Sequence, residues 1–351
     1  MKNRSILNSR IYKVSRFCAF LIALWAFPAL TFAAEKPEAD SSKPFDPKEA
    51  IFEHIGDSHS WPVIGKIAIP LPVIVYTANG LDVFSSANLH EGEVYKGAHN
   101  NYLLEGNKIK VADEAGKVEE KQKLYDFSIT RNVASMWFGM LLLIIIFVSV
   151  ASSYKKRQGK APKGLQSFME PMILFVRDDV AIPNIGVRYK RYMPLLLTVF
   201  FFILINNLLG LIPIFPGAYN LTGNIAVTLT LSFIILLVIN FSGNKYYWKH
   251  IFTPDIPFWL YIIMVPVELI GIVSKPFALM IRLFANITAG HIIVLSLISL
   301  IFIFKTLAVS PASVVFVVFM DCIELLVAFL QAYIFTMLSA LFIGMAVQEH
   351  H

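Results

Sequence analysis

Long runs of apolar side chains, separated by short polar segments, dominate the chain from residue 133 onward. A helical run of about 20 apolar residues matches the ~30 Å hydrocarbon core of a bilayer. The pattern predicts an all-α integral membrane protein with five membrane-crossing helices. One further helix, 165–181, alternates apolar and charged residues and is expected to lie along the cytoplasmic surface. The predicted crossings cover about 133–150, 192–212, 225–241, 256–304 and 311–347.

The last two runs, 256–304 and 311–347, are too long for a simple crossing. As helices they would measure ~70 Å and ~55 Å at 1.5 Å per residue, far beyond the hydrocarbon core. We therefore expect both helices to be steeply tilted or kinked, with Pro266 and Pro276 as places where the first could bend. A tilted pair would lie across the face of a partner that is itself in the membrane.

Composition supports the membrane assignment, because 56% of the residues are hydrophobic, 15% are charged and the mean hydropathy is +0.64. A pI near 9.1 would suggest nucleic acid in a soluble protein. Here the basic residues lie in short segments between apolar runs, so we expect no nucleic-acid partner. Basic residues are enriched in the cytoplasmic loops of membrane proteins, so these segments are predicted to be cytoplasmic. Five crossings then place the mature N-terminus in the periplasm and the C-terminus in the cytoplasm. The basic loop residues are Lys155, Lys156, Arg157, Lys160, Lys163, Arg188, Lys190, Arg191, Lys245 and Lys249.

Three segments are predicted along the chain. Residues 1–34 have a basic start, an apolar run and small residues suited to cleavage, which is typical of a signal peptide, with an uncleaved anchor as the alternative. Residues 35–130 form a periplasmic N-terminal extension, in which 16 acidic and 10 basic residues lie between 35 and 126. Interrupted β-rich stretches there predict short strands. Residues 131–351 form the membrane domain.

Metal and disulfide chemistry have little support in the sequence. His54, Asp57 and His59 could ligate a metal, but spaced polar residues in an exposed segment are more often solvated, and we expect no metal site or other cofactor. After removal of a signal peptide only Cys322 remains, which excludes an intrachain disulfide.

Arg282 is a fixed cation in the middle of the apolar run 256–304. A charge at mid-bilayer costs at least ~3 kcal/mol on insertion scales, and a guanidinium cannot release its proton to avoid that cost. An intramembrane arginine therefore indicates a function or a dedicated ion pair. An ion pair with Glu268 or Glu324 that only fixes packing is the structural alternative.

Further polar residues accompany Arg282 at helical spacing. Glu268 and Lys275 precede it by steps of seven and Asn286 follows by four, which places them in one slowly drifting stripe. His291 lies nine residues beyond Arg282 and so points to a different face. Asn286 could instead be a simple interhelical hydrogen-bond partner, and Lys275 could extend its amine to the cytoplasmic surface.

The final apolar run has its own sparse polar groups, namely Asp321, Glu324 and Gln331. Glu324 and Gln331 are seven apart and share one side of the predicted helix. Asp321 could be a wetted residue near the outer end, and Gln331 could serve only helix packing. His291 and Glu324 are the pair best suited to a proton relay, because imidazole titrates near neutrality and partial burial shifts a carboxylic acid toward the same range.

Two segments resemble a known family. Ser274-Lys275-Pro276 with Ile281-Arg282-Leu283-Phe284-Ala285-Asn286, and Leu330-Gln331-Ala332-Tyr333-Ile334-Phe335, are similar to the signature segments of subunit a of F-type ATP synthases. The resemblance covers about residues 130–351. The exported N-terminal region, including Asp57-Ser58-His59, is similar to the extended N-terminus of this subunit in Bacteroidota-type bacteria.

The resemblance implies a non-catalytic stator subunit of the bacterial inner membrane. Its partners would be the ring of c subunits, subunit b of the peripheral stalk and the rest of the synthase. The transported ion would be a proton or a sodium ion, and His291 favours the proton. The residue matching Arg282 faces the ring carboxylates and blocks a leak between two offset half-channels, with Asn286 and Gln331 nearby. Glu268 matches a position of the cytoplasmic half-channel. His291 and Glu324 are exchanged relative to common bacterial members, an arrangement also found in mitochondrial ones.

Two other functions would also use intramembrane Arg, Glu and His. A self-contained ion-coupled transporter predicts transport by the isolated chain. An intramembrane hydrolase with a metal at His291 and Glu324 has no supporting ligand motif.

Overall fold

The structure of the protein is a computed structural model that describes residues 56–64, 67–90, 92–113, 117–118, 122–212, 217, 219, 221–253, 257, 260–304 and 309–347. The predicted signal peptide, His54 and the polar C-terminal tail lie outside the described residues. The protein is mostly helical, with five long apolar helices and a small N-terminal β region, which confirms the predicted fold class.

The β region consists of short antiparallel strands in three sheets. One sheet pairs two strands, one has the order β4-β3-β8, and one has the order β5-β6-β7. The strands are β1 (Ser60–Ile64), β2 (Ile67–Pro70), β3 (Pro72–Thr77), β4 (Gly80–Ser85), β5 (Val94–Lys96), β6 (Asn101–Glu105), β7 (Lys108–Ala112) and β8 (Tyr125–Asp126). The two-residue turn after Thr77 joins β3 to β4 at Gly80, whose φ of 148° is one that glycine adopts readily.

Alternating side chains of the two three-stranded sheets build the core of the β region. Val73, Val75 and Tyr102 are fully buried there, and Ile109 and Val111 complete the cluster. Because successive strand residues point to opposite faces, each of these sheets also has an outward face.

Asp82 is a buried carboxylate in this core with several hydrogen-bond donors. It accepts hydrogen bonds from Tyr102 Oη at 2.7 Å and from the His99 backbone N at 3.1 Å, and His99 Nδ1 lies 2.5 Å from its other oxygen. Burial alone would raise the pKa of Asp82, but the hydrogen bonds from His99 and Tyr102 outweigh it and lower the pKa below 3.8. The same arrangement, with burial as the largest cause, raises the pKa of Tyr102 to about 12.

The β region is tied to the start of the first long helix, α1 (Arg131–Lys156). The Arg131 side chain donates to Gly56 O at 2.6 Å, and its backbone N donates to Ser58 O at 2.8 Å. Asp57 accepts from the Asn132 backbone N at 3.1 Å, and His59 lies 3.1 Å from Asp126. Asp57 and His59 thus have separate partners at this junction.

Within the described residues, seven further α-helices follow α1 in chain order. They are α2 (Leu165–Phe175), α3 (Ile182–Ile185), α4 (Tyr189–Gly210), α5 (Ile225–Ser242), α6 (Lys245–Phe252), α7 (Tyr261–Phe304) and α8 (Val309–Val347). A π-helical stretch, Val176–Ala181, connects α2 to α3. Five stretches are long and apolar enough to cross a membrane, and one of them, Leu165–Gly210, runs from the predicted surface helix to the end of α4.

Local signals explain several boundaries. Asn224 caps α5 by accepting a hydrogen bond from the Ala226 backbone N, and Gly186, with φ 71°, ends α3. α6 was not predicted, because its eight residues mix lysines with Tyr246, Tyr247 and Trp248 and contain no apolar run. α7 continues through Pro266 and Pro276 without a break in its helical assignment.

The helices pack around one apolar core, to which α4 contributes more large buried side chains than any other helix, including Leu196, Phe200 and Ile203. α8 packs along α4 and α7. Its C-terminal end is held closely: Asn244 donates from its side chain to Val347 O at 2.6 Å and from its backbone to Ala346 O at 3.0 Å. A Cβ at Gly344 would lie 2.9 Å from the Asn184 carbonyl carbon, so only glycine permits this contact with the chain around α3.

Candidate functional site

Arg282 lies in the middle of α7 and faces away from the apolar core. Its neighbours Leu279 and Leu283 are buried in that core, whereas Arg282 and Asn286 are exposed on the surface of the chain. Among the residues that the structure describes, the Arg282 guanidinium has no ion-pair partner. The packing alternative, an ion pair with Glu268 or Glu324, is therefore not formed.

Gln331 connects the two long helices at the level of Arg282. Its side chain is buried and donates from Nε2 to the Arg282 backbone O at 3.4 Å. The contact places the polar positions of α8 and α7 side by side and leaves the guanidinium itself unengaged.

A first cavity, which we name the Glu324 cavity, lies on the C-terminal side of Arg282 along α7. It has an empty volume of about 320 Å³, part of it open to the surroundings. The polar side chains that line it are Asn206, Asn207, Tyr219, Thr222, Asn286, His291 and Glu324. His291 and Glu324, predicted as a relay pair, therefore meet in one cavity.

Amides of α4 and hydroxyls of the α4–α5 connection form the far wall of the Glu324 cavity. Thr222 donates to Asn207 Oδ1 at 2.7 Å, and Tyr219 donates to Asn206 Oδ1 at 3.2 Å. Gly139 of α1 packs directly against the Asn206 side chain and has no room for a Cβ. The Asn206 and Asn207 side chains are therefore held in fixed orientations by the hydroxyls of Tyr219 and Thr222 and, for Asn206, by the packing of Gly139.

Glu324 is the acid in this cavity. Its Oε1 atom is buried, and among the described residues it has no hydrogen-bond partner. The carboxylate packs against Gly290, where a Cβ would collide with it. A buried, unpaired carboxyl oxygen costs free energy in any fold and is rare in native structures, which indicates a functional group rather than a structural one.

A second cavity, the Glu268 cavity, lies toward the other end of α7. It has an empty volume of about 870 Å³ and is lined by Tyr246, Tyr247, His250, Ile251, Glu268, Ile272, Lys275 and Met345. His250 Nδ1 is 4.0 Å from Glu268 Oε1, and Lys275 Nζ lies 5.5 Å from the centre of the Phe342 ring. Lys275 thus faces the protein and the cavity.

Arg282 stands between the two cavities along α7. Glu268 precedes it by ~21 Å and His291 follows by ~14 Å at 1.5 Å per residue. Arg282 lines neither the Glu324 cavity nor the Glu268 cavity. The arrangement provides two separate polar spaces that open at different heights, with a permanent cation on the outer surface between them.

Most of the predicted polar positions of α7 and α8 fall in or beside these cavities, with Asp321 one turn before Glu324 on α8. Sequence reasoning missed Asn206, Asn207, Tyr219, Thr222 and His250. The adjacent amides Asn206 and Asn207, in an otherwise apolar run, were a usable signal. Tyr219, Thr222 and His250 lie in or near loops, where polar residues are ordinary.

Residues 133–344 match the family model described as ATP synthase A chain. This match covers more than half of the chain. The chain belongs to the ATP synthase A chain family. A multi-pass membrane subunit of ATP synthase, it has no catalytic chemistry of its own.

Relatives of the ATP synthase A chain family align with the chain over about 230 residues. "ATP synthase subunit a" of Chloroherpeton thalassium is 52% identical over 65% of this chain and 69% of the relative. "ATP synthase subunit a 2" of Chlorobaculum tepidum is 51% identical over 63% and 64%. The subunit of Myxococcus xanthus is 45% identical over 64% and 75%. The predicted recognition is confirmed, and the self-contained transporter is set aside.

The N-terminal β region matches a different family model. Residues 50–127 match a domain of unknown function, DUF8433. Beside the part that matches the ATP synthase A chain family, this chain therefore carries an additional module without an assigned role.

Proposed function

We propose that the chain is the stator of the synthase's membrane motor, in which the Glu324 cavity and the Glu268 cavity are two proton half-channels that do not meet. The observation that carries the proposal is the position of Arg282 between two separate polar cavities on one helix. Protons would enter by one cavity, travel on carboxylates of the rotating c-ring, and leave by the other.

In this mechanism Glu324 and His291 pass protons between the Glu324 cavity and the ring. Both groups line one space, and Glu324 Oε1 is free to bind a proton because no described residue occupies it. The amides and hydroxyls of Asn206, Asn207 and Thr222 would hold water in a defined orientation. Asn286, near the surface between this cavity and Arg282, would mark the exit toward the ring.

Arg282 would act electrostatically. A permanent cation attracts a ring carboxylate that has lost its proton and repels a proton that moves directly from one cavity to the other. A proton that crosses 100 mV releases ~2.3 kcal/mol. The passage of several protons must therefore be coupled, through the rotor, to the synthesis of each ATP. A leak past Arg282 would lose that coupling. Gln331, which binds the Arg282 backbone, would fix the height of the cation.

Glu268 would exchange protons in the second half-channel, with His250 and Lys275 in supporting positions. The basic loops support an orientation in which the Glu268 cavity lies near the cytoplasm of a bacterial inner membrane and the β region lies in the periplasm. Subunit b of the peripheral stalk and lipid would complete the surroundings of the chain. Asp321 would have a secondary role near the outer end of the relay.

Arg282→Ala in membrane vesicles tests this function. We expect proton-driven ATP synthesis to be lost while the subunit remains inserted and the complex assembled. Lys275→Ala is the comparison variant: it removes the other cation of α7, which lines the Glu268 cavity, and leaves Arg282 in place, so it should lower synthesis far less than Arg282→Ala does. Full synthesis by the Arg282→Ala complex would contradict the proposed role.

A further inference from the structure

The two outward sheet faces of the β region differ sharply in chemistry. The first, which we name the Tyr76 face, comprises the outward positions of β3, β4 and β8. It contains Pro72, Ile74, Tyr76, Leu81, Val83, Ser85, Tyr125 and Phe127, none of them charged. The second, the Lys108 face, is formed by β5, β6 and β7 and carries Lys96, Glu105, Lys108 and Lys110.

The large side chains of the Tyr76 face form one continuous apolar surface. Tyr76 lies directly opposite Leu81 on one side and Tyr125 on the other, and Ile74 lies opposite Val83. Tyr76, Leu81, Val83, Tyr125 and Phe127 are each between 49 and 66% exposed with the whole chain in place. Soluble surfaces rarely leave such a cluster uncovered unless it binds something.

The position of the face indicates what covers it. Phe127 precedes the first residue of α1 by four residues, which span at most ~14 Å. The headgroup layer on each side of a bilayer is about 5–8 Å thick. In addition, Trp61 of β1 contacts Phe138, two turns into α1, at 6.5 Å between ring centres. The β region therefore lies beside the membrane end of α1.

The β region is held firmly in that place. Arg131 and Asn132 of α1 bind the backbone and side chain of the Gly56–Asp57 segment, and the Phe127 backbone N donates to Ile74 O at 2.8 Å. The chain thus enters the membrane helix from the Tyr76 face itself. On α1 itself, the large apolar side chains of Trp137 and Leu141 are exposed.

We propose that the Tyr76 face docks onto the surface of the lipid bilayer, with its aromatic rings in the headgroup layer and the Lys108 face turned toward water. Two tyrosines and a phenylalanine, on a face whose outward strand positions carry no charged residue, have the composition of an interfacial belt, where amphipathic rings are preferred. The module would thereby fix the outer end of α1 relative to the membrane. This inference does not depend on the ion path through the two cavities.

Spin labels on the assembled synthase in liposomes test the proposal. The label is placed at Val83→Cys on the Tyr76 face or at Lys108→Cys on the charged face, in a Cys18→Ser, Cys322→Ser background. Collisions with oxygen, which concentrates in lipid, are compared with collisions with a water-soluble nickel chelate. We expect the ratio of oxygen to nickel collisions to be several-fold higher at position 83 than at position 108.

Two results would overturn the proposal. Equal nickel access at both positions would mean that the Tyr76 face is solvated. Protection of position 83 from both reagents would mean that another subunit or a second copy of the chain covers it. Leu81→Cys, on the adjacent outward position of β4, repeats the measurement if the first label disturbs assembly.

Discussion

Two acids, Asp82 in the β region and Glu324 in the membrane, show opposite uses of a buried carboxylate. Asp82 is satisfied by His99 and Tyr102, which hold it in its ionised form. Glu324 has an oxygen that is buried beside Gly290 and that no described residue binds. A satisfied acid contributes to stability, whereas an unsatisfied acid remains available for protons. For these two acids, hydrogen bonding rather than burial alone distinguishes the structural acid from the one proposed to carry protons.

Within this comparison, the largest effect is expected from Glu324→Gln. The amide keeps the size of the side chain but cannot release a proton, so proton-driven ATP synthesis should fall ~100-fold or more, the lower end of what a positioned proton-transfer group contributes. Insertion and assembly should persist, and passive proton leakage should not increase because Arg282 remains. Asp321→Asn, one turn away, is the control and should have a smaller effect. Equal losses in the two variants would remove the distinction drawn for Glu324.

Exchange of the two relay residues should cause less damage than loss of either. The double variant His291→Glu, Glu324→His retains one acid and one imidazole in the Glu324 cavity. We expect its ATP synthesis rate to exceed that of His291→Ala and of Glu324→Gln in the same vesicles. A double exchange as inactive as the single losses would argue against a shared relay.

Asp82→Asn should have the converse profile. The substitution removes the charge that accepts three hydrogen bonds, each worth ~1.5–3 kcal/mol when one partner is ionised, and should destabilise the β region by about 3 kcal/mol. Hydrogen exchange of β3 and β4 amides in the assembled complex measures the loss, and ATP synthesis should be retained. Unchanged exchange would show that Asp82 is not a stabilising acid.

Acidification should weaken the β region gradually. Because the folded-state pKa of Asp82 is lowered, its contribution is complete above the ordinary value of 3.8 and is lost as the pH falls through the lowered pKa. Asp126 adds to this trend, since His59 and Ser128 outweigh the effect of burial and lower its pKa. The protection factors of β3 amides, which correct exchange rates for the ordinary pH dependence of amide exchange, should fall between pH 5 and pH 3, and the Asp82→Asn protein should show a shallower dependence.

The sequence predicted the membrane part of the fold well, for a physical reason. Every crossing helix must satisfy its backbone within itself and present apolar side chains, so the apolar runs alone indicate the helices. The polar residues of α7 and α8 were equally visible, because Arg282, His291 and Glu324 are costly in that setting. Their spacing along each helix separated Arg282 from His291.

What the sequence could not predict depends on contacts between distant segments. The wall of the Glu324 cavity combines Asn206 and Asn207 with Thr222, and it faces Glu324 more than 100 residues further along the chain. No pattern within a short stretch of sequence indicates that these residues lie together. In the β region, prolines and short strands indicated β structure, but the pairing of Asp82 with His99 arises only when separate sheets pack.

The C-terminal end of α8 is held in place by hydrogen bonds and by a close backbone contact. Asn244 binds the last two carbonyls of the helix, and Gly344 allows it to seat on the backbone of Asn184. In the proposed mechanism, a rotor that moves past the middle of α7 and α8 would apply a sideways load, and a fixed far end would make α8 bend rather than slide. The stiffness of this contact would then limit how far Arg282 is displaced.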